Sequence, residues 1–351
     1  MYSQRAPISV PTLVRIKPGA LDRVGLYLAR AGQRRIALLA SDGLLETISA
    51  RLRAGLAEHG ISIVRDEVVN DASFEHATAI FTNLPESAGA VVGLGGGRAL
   101  DTAKYVAFLA GLPSIAVPTS LSNDGFASPN ASLSVAEKRR SLRAAMPVGV
   151  VIDTAVCLGA PEPLWWSGVG DLVAKVTAVA DWKLAFHACG TPVDDLAALL
   201  SDATVHQFIT RPTHDLEGMH LLATSLLQNG IAMEICGSSR PASGSEHLIS
   251  HALDACSARP RLHGLQVGLA TYIVSHLQNE GADRIGHVLD ATRFWQGIED
   301  DPMSRREWLE AVRIAPSLKE DFYTVLSARD CIDEVRQLID SDARLSRCFV
   351  D

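Results

Sequence analysis

Four short apolar runs, "RRIALLA" (34–40), "ISIVRDEVV" (61–69), "AGAVVGL" (88–94) and "PSIAVPT" (113–119), alternate with stretches of helical periodicity. No other feature restricts the fold as much. Strands separated by helices of this length imply a parallel sheet with helices on both faces. The helical patterns run from Leu44 to His59, over 73–86, and from a glycine cluster at 95–97 to about Ala110. Residues 131–147 are expected to fold as a hairpin around "EKRR", and "VGVVID" (148–153) completes the sheet region. From Gly168 onward the periodicity is helical, and the turn-rich segment 157–167 marks the boundary. The expectation is an α/β N-terminal domain with a Rossmann-like parallel sheet (1–160) and an all-α C-terminal domain (161–351).

Composition excludes several classes of function. The formal net charge is −8, and the densest basic run, "EKRRSLR", is short, which argues against a nucleic-acid partner. No apolar run approaches the roughly 20 residues that span a bilayer. "MYSQRAPISVPTLVRI" has neither the apolar core nor the cleavage site of a signal peptide. Six scattered cysteines without a CxxC pair point to reduced thiols and a cytoplasmic location.

"GLGGGRALDTAK" (93–104) follows a buried strand and opens a helix. Gly95, Gly96 and Gly97 let backbone amides approach a pyrophosphate at the helix N-terminus, where the helix dipole favours negative charge. The same glycines also suit a tight strand-to-helix turn, and alone they do not separate the two. They are not a GxGxxG fingerprint, and they do not follow the first strand, so the common Rossmann dehydrogenase is disfavoured. "PTSLSNDGFASP" (118–129) follows the next strand. There Thr119, Ser122 and Ser128 can hydrogen-bond a cofactor and Asp124 a substrate hydroxyl, although Asn123-Asp124-Gly125 also reads as an ordinary turn. Asp42, ending the first run, either meets an adenosine ribose, where a carboxylate would repel a 2′-phosphate and favour NAD, or is a turn residue.

In "SGSEHLISHALD" (243–254), His247 and His251 lie four residues apart on one helix face. Leu248 stands where HExxH would place glutamate, which rejects a zincin protease. Asp171 is placed near the start of a helix in "SGVGDLVAKVTAVADWKLAF", where a carboxylate is often a cap or dipole partner. Asp171, His247 and, sixteen residues on (263 − 247), His263 form a credible three-ligand metal site from separate helices, with a position left for substrate oxygen. Taken singly, each histidine also reads as a packed or capping residue.

"GGGRALDTAK", "VPTSLSNDGFASP", "GDLVAKVTAVADWKLA", "SGSEHLISHALD" and "LHGLQVG" occur in this order and spacing. Together they resemble the sn-glycerol-1-phosphate dehydrogenase family, a branch of the iron-containing alcohol dehydrogenase and dehydroquinate synthase-like superfamily, from about residue 10 to 327. The resemblance implies the dehydroquinate synthase-like fold, with NAD(H) or NADP(H) and substrate in its cleft. It implies that Gly97, Arg98, Ala99, Leu100 and Asp101 contact the cofactor phosphates, and that Thr119, Ser120, Leu121, Ser122 and Ser128 line the nicotinamide side. It places Asp124 on the substrate, and a divalent metal (zinc, with Fe²⁺ or Ni²⁺ as alternatives) on Asp171, His247 and His263. His251 would face the substrate as proton carrier, and Asp171 would double as a hydrogen-bond partner of a substrate hydroxyl.

The implied reaction is reversible reduction of a small hydroxyketone, dihydroxyacetone phosphate, with a phosphorylated triose as the small-molecule substrate, and the abundance of apolar helical surface makes a homo-oligomer the expectation. Lys104, Lys175, Arg240 and Arg259 are the candidate cations for that phosphate. Two departures from the family pattern, Asn123 for histidine and Leu265 for glutamate, are expected near the substrate region. They keep open related dehydrogenases acting on glycerol, a phosphonate aldehyde or a secondary-metabolite ketone. A sugar-phosphate cyclase that uses NAD transiently resembles "GGGVxxDxxG" after the same strand, and "GGGRALDTAK" argues against it. A non-catalytic NAD-binding scaffold is disfavoured by the intact Asp171, His247 and His263 set.

Overall fold

A computed structural model describes residues 8–351 of the chain. Part of the N-terminal stretch read above for a signal peptide lies outside the described residues. The chain divides into two compact units between Ala160 and Pro161.

The first unit contains β1 (Leu13–Ile16), α1 (Val24–Arg30), β2 (Arg35–Ser41), α2 (Glu46–Glu58), β3 (Ser62–Val69), α3 (Phe74–Thr82) and β4 (Ala90–Gly95). It continues with α4 (Gly97–Ala110), β5 (Ser114–Pro118), β6 (Asn130–Val135), β7 (Lys138–Arg143), β8 (Gly149–Ile152) and α5 (Thr154–Leu158). Six strands form one parallel sheet in the order β1-β8-β5-β4-β2-β3. The period-2 geometry of a strand explains the two-sided core. Ile36, Leu38 and Ala40 pack with Leu52 and Leu56 of α2, whereas Ala37 and Leu39 join Ala99, Ala103 and Val106 of α4 in a different cluster.

Strands β4, β5 and β8 are buried along their whole length, as their apolar runs predict. Edge strand β3 instead carries Arg65, Asp66 and Glu67, whose side chains pair among themselves and with Arg53. Charges of this kind protect an exposed edge from pairing with another chain. Strand β1 was not among the sequence-predicted runs. It is four residues long at the opposite edge and carries Arg15, so its apolar signal is short. The predicted hairpin forms as β6 and β7, turning at Ala136-Glu137, with "KRR" inside β7 rather than at the turn.

The second unit begins with α6 (Glu162–Cys189), α7 (Asp195–Ile209), α8 (Leu216–Cys236), α9 (Ser245–Cys256) and α10 (His263–Gln278), and shorter helices follow. The all-helical expectation needs one correction. Met303–Ser304 and Phe349–Val350 form a two-residue parallel pair, too short to carry a periodic signal. Among the described residues no helix is long and apolar enough to cross a membrane.

Helices α6 and α10 approach until backbone nearly touches backbone. A Cβ added at Gly170 would lie 2.0 Å from the Gly264 carbonyl oxygen, and one at Gly264 would lie 1.8 Å from the Ser167 carbonyl oxygen. Gly170 precedes Asp171 and Gly264 follows His263, so this close crossing sets the separation of those two side chains.

Candidate functional site

In the helical unit the three proposed ligands converge. Asp171 is the tenth residue of the 28-residue α6, not a residue of its first turn. The cap or dipole role considered from sequence is therefore overturned, because the helix starts at Glu162, upstream of where its pattern was recognised. A carboxylate in mid-helix and only 1% exposed needs cationic or metal partners to offset its desolvation. Its Oδ1 lies 3.3 Å from Nε2 of His247 on α9 and 3.9 Å from Nε2 of His263, the first residue of α10. One donor atom from each of the three falls within 4.8 Å of the others.

This donor set fits a divalent ion. Bonds of about 2.0–2.1 Å in a tetrahedral site hold ligand atoms about 3.3 Å apart. Two imidazoles and a carboxylate suit zinc and equally suit iron(II). Burial acts to raise the Asp171 carboxyl, but the Lys175 ammonium and the two imidazoles outweigh it and hold the group well below the usual carboxylate range. Burial acts to lower the His247 imidazolium, yet hydrogen bonds to Asp171 and Glu246 push it up to about 9. Metal capture near neutral pH therefore expels a proton from His247.

His251 belongs to the same constellation but not to the donor cluster. Its ring centroid is 6.5 Å from that of His247 and 6.0 Å from that of His263, with the latter pair stacked at 26°. It is exposed, while His247 is buried. The four-residue spacing thus sets one inward and one outward imidazole along a helix.

In the N-terminal unit the glycine loop lies where strand order reverses. Chain progression runs from β2 outward to β3, then back across β2 to β4 and on to β5, so the carboxyl ends of β2 and β4 flank a topological switch point. Such points are where open parallel sheets bind ligands. Gly95 has φ +129°, and a Cβ there would meet Ser41 Oγ at 2.1 Å. Ser41 Oγ in turn accepts a hydrogen bond from Gly96 N at 2.9 Å. Ser41 was not among the sequence candidates, although it is the last residue of β2 and immediately precedes Asp42. A Cβ at Gly96 or Gly97 would meet nothing within 4 Å, which leaves the first amides of α4 approachable by a phosphate.

The remaining candidates sort by burial. Arg98 and Asp42 are exposed, the latter directly after β2 with its N–H donated to Val69 O, and Thr119, Ser120, Ser122 and Asp124 are half-buried. Ala99, Leu100, Leu121, Asp101 and Ser128 are buried, and the first three pack as core side chains. Asp101 pairs with Lys104, whose ammonium also donates to the carbonyls of Gly125 and Asn130, both at 2.6 Å. Ser128 Oγ donates to Asn130 O at 3.0 Å. These groups fasten the 118–129 loop to α4. Asn123 accepts from Gly125 N at 2.9 Å and so caps the short 3₁₀ turn Asp124–Ala127.

The structure revises the phosphate candidates. Lys104 is engaged as described, and Lys175, 0% exposed, faces Asp171 and the Ala242 carbonyl. Arg240 is buried, donates to Tyr323 O and stacks on the Phe322 ring. Arg259 is ion-paired with Asp301. None of the four presents an unengaged cation. Leu265, two residues beyond His263 in the first turn of α10, is buried beside Gly297.

Comparison with known proteins agrees with this architecture. Residues 15–161 match the family model "Iron-containing alcohol dehydrogenase". The chain is 35% identical to glycerol-1-phosphate dehydrogenase [NAD(P)+] of Aeropyrum pernix, over 97% of this chain and 98% of the relative. It is 33% identical to the enzyme of the same description from Methanothermobacter thermautotrophicus, over 94% and 96%. Among solved structures, a probable glycerol dehydrogenase from Sinorhizobium meliloti superposes with a TM-score of 0.75 at 20% identity, covering 96% of this chain and 99% of that one. Glycerol dehydrogenase from Schizosaccharomyces pombe gives the same TM-score at 18% identity, covering 99% and 92%. The two structural likenesses establish the fold.

Proposed function

Because the chain belongs to the glycerol-1-phosphate dehydrogenase family, we propose that it reversibly reduces dihydroxyacetone phosphate to sn-glycerol 1-phosphate with NAD(P)H and a divalent metal. The observation that carries this reading is the buried convergence of Asp171, His247 and His263, with donor atoms within 4.8 Å of one another. The choice of substrate rests on the family.

The geometry supports the following roles. The first amides of α4, at Gly97, Arg98 and Ala99, receive the cofactor phosphates across the unfilled space beside Gly96 and Gly97. Asp42 at the end of β2 meets the adenosine ribose, and its charge favours NAD over a 2′-phosphorylated cofactor. Thr119, Ser120 and Ser122 supply hydroxyls near the nicotinamide, and Asp124 orients the substrate. Asp171, His247 and His263 hold the metal, which we take to be zinc. When bound, the ion supplies positive charge that polarises the ketone oxygen and stabilises the negative charge growing there as hydride arrives. His251, exposed beside the cluster, delivers the proton to the oxygen that becomes the alcohol, a general-acid task that falls most often to an imidazole.

The test is NADH or NADPH oxidation with dihydroxyacetone phosphate, with and without chelator. Oxidation that stops on chelation, returns with Zn²⁺ and is much weaker with unphosphorylated dihydroxyacetone is the expected outcome. Activity without net NADH consumption would instead indicate a cyclase, which regenerates its NAD. In the same assay His251→Ala is expected to keep its metal while kcat falls about 10²–10⁴-fold. Loss of metal from that variant would exchange the roles given to the two histidines.

A further inference from the structure

The residue before His247 has no part in the function described so far, yet its carboxylate accepts three hydrogen bonds. Glu246 is 0% exposed on the first turn of α9. Its Oε1 accepts from His247 Nδ1 at 2.9 Å and from Gly244 N at 2.6 Å. Its Oε2 accepts from Thr177 Oγ1 of α6 at 2.8 Å. The chain makes room for this carboxylate, because a Cβ at Gly244 would lie 2.9 Å from Glu246 Oε2 and 2.8 Å from Asp181 Oδ2.

We propose that Glu246 is a positioning residue of the metal centre: it fixes His247 as an Nε2 donor and places a second negative charge behind that ligand. The inference rests on the metal reading of Asp171, His247 and His263. A carboxylate oxygen can only accept, so the His247 nitrogen facing Glu246 keeps its proton, and the proton that metal capture expels leaves from the opposite nitrogen, 3.3 Å from Asp171 Oδ1, which then presents its lone pair to the ion. His263 is held differently. Its Nδ1 lies 3.2 Å from Ser250 Oγ, a hydroxyl able to donate or accept, which also receives a hydrogen bond from Gln266 Nε2 at 3.0 Å. One imidazole therefore has a charged partner that dictates its tautomer, and the other a neutral partner that does not. Thr177 is the clamp on this arrangement, because its hydroxyl stops the Glu246 carboxylate from rotating away from His247.

The competing role for Glu246 is local, as the acceptor that caps Gly244 N at the start of α9. Glu246→Gln separates the two, since the amide oxygen preserves an acceptor while the charge is removed. Co²⁺ is titrated into the metal-stripped full-length protein against a competing chelator, and its visible ligand-field spectrum is recorded. The expected result is a Kd for Co²⁺ raised about 10–100-fold, the usual effect of removing such a partner, together with an altered spectrum. Thr177→Val should weaken Co²⁺ binding in the same direction by a smaller factor, and it serves as the deciding variant if Glu246→Gln does not fold. Parental Kd and spectrum in a folded Glu246→Gln, or parental Kd in Thr177→Val when that variant decides, would overturn the proposal. His247→Ala is the control for the underlying reading: undiminished Co²⁺ binding there removes the metal site itself, whereas loss there with retention in Glu246→Gln removes only the positioning role.

Discussion

Asp171→Ala is expected to strip the protein of metal and, separately, to destabilise it by about 3–5 kcal/mol, the cost of breaking a buried ion pair from one side. The second effect comes from Lys175. Its ammonium is 0% exposed and 3.5 Å from Asp171 Oδ1, with the Ala242 carbonyl at 3.3 Å. Truncating Asp171 leaves that charge buried without its carboxylate. Because a bound ion would itself stabilise the folded state, urea midpoints should be compared for parent and variant in excess chelator. The double variant Asp171→Leu/Lys175→Met should recover most of the lost stability and still bind no metal, since a buried pair can be exchanged for apolar packing but a ligand cannot. If the single variant matches the parent in chelator, the coupling of Lys175 to Asp171 is wrong.

Gly264→Ala is expected to cost about 3 kcal/mol, the upper end of the usual overpacking range, and to weaken metal binding although no ligand is touched. The new methyl group would sit 1.8 Å from the Ser167 carbonyl oxygen, and backbone of a long helix cannot swing aside as a side chain can. Helices α6 and α10 must separate, which also threatens the Gly264 N–H bond to Ser167 Oγ at 3.1 Å. Asp171 and His263 are carried apart with them, and their 3.9 Å approach is lost. Denaturant midpoints and chelator competition read the two consequences. A variant with parental values for both would show that the crossing is softer than its geometry implies.

The sheet was readable because its central strands are continuous runs of Val, Leu, Ile and Ala, as burial on both faces requires. The metal candidates were readable through motif order and the choice of residue types. Their surroundings were not. Glu246 looks in sequence like an ordinary acidic residue in the first turn of a helix, which the dipole would favour on any exposed surface. Lys104 and Lys175 look like free cations, yet each ends inside the protein on carboxylate and carbonyl partners. A cap role for Asp171 stood beside the ligand role because the turn-rich run before it hid the true start of α6.

Local pattern and residue chemistry by themselves determined the alternation of strands and helices, the glycines before α4, and which side chains are able to bind a metal. Those properties depend on neighbours a few positions away, with periods of 2 and 3.6 residues. Tertiary structure alone decided that Asp171 lies in mid-helix beside Lys175, that Gly170 and Gly264 draw two ligand helices together, and that His247 points inward while His251 remains exposed. Burial and through-space distance between segments ninety residues apart have no local signature, and they set both the cost of a charge and the room left for a carboxylate behind a histidine.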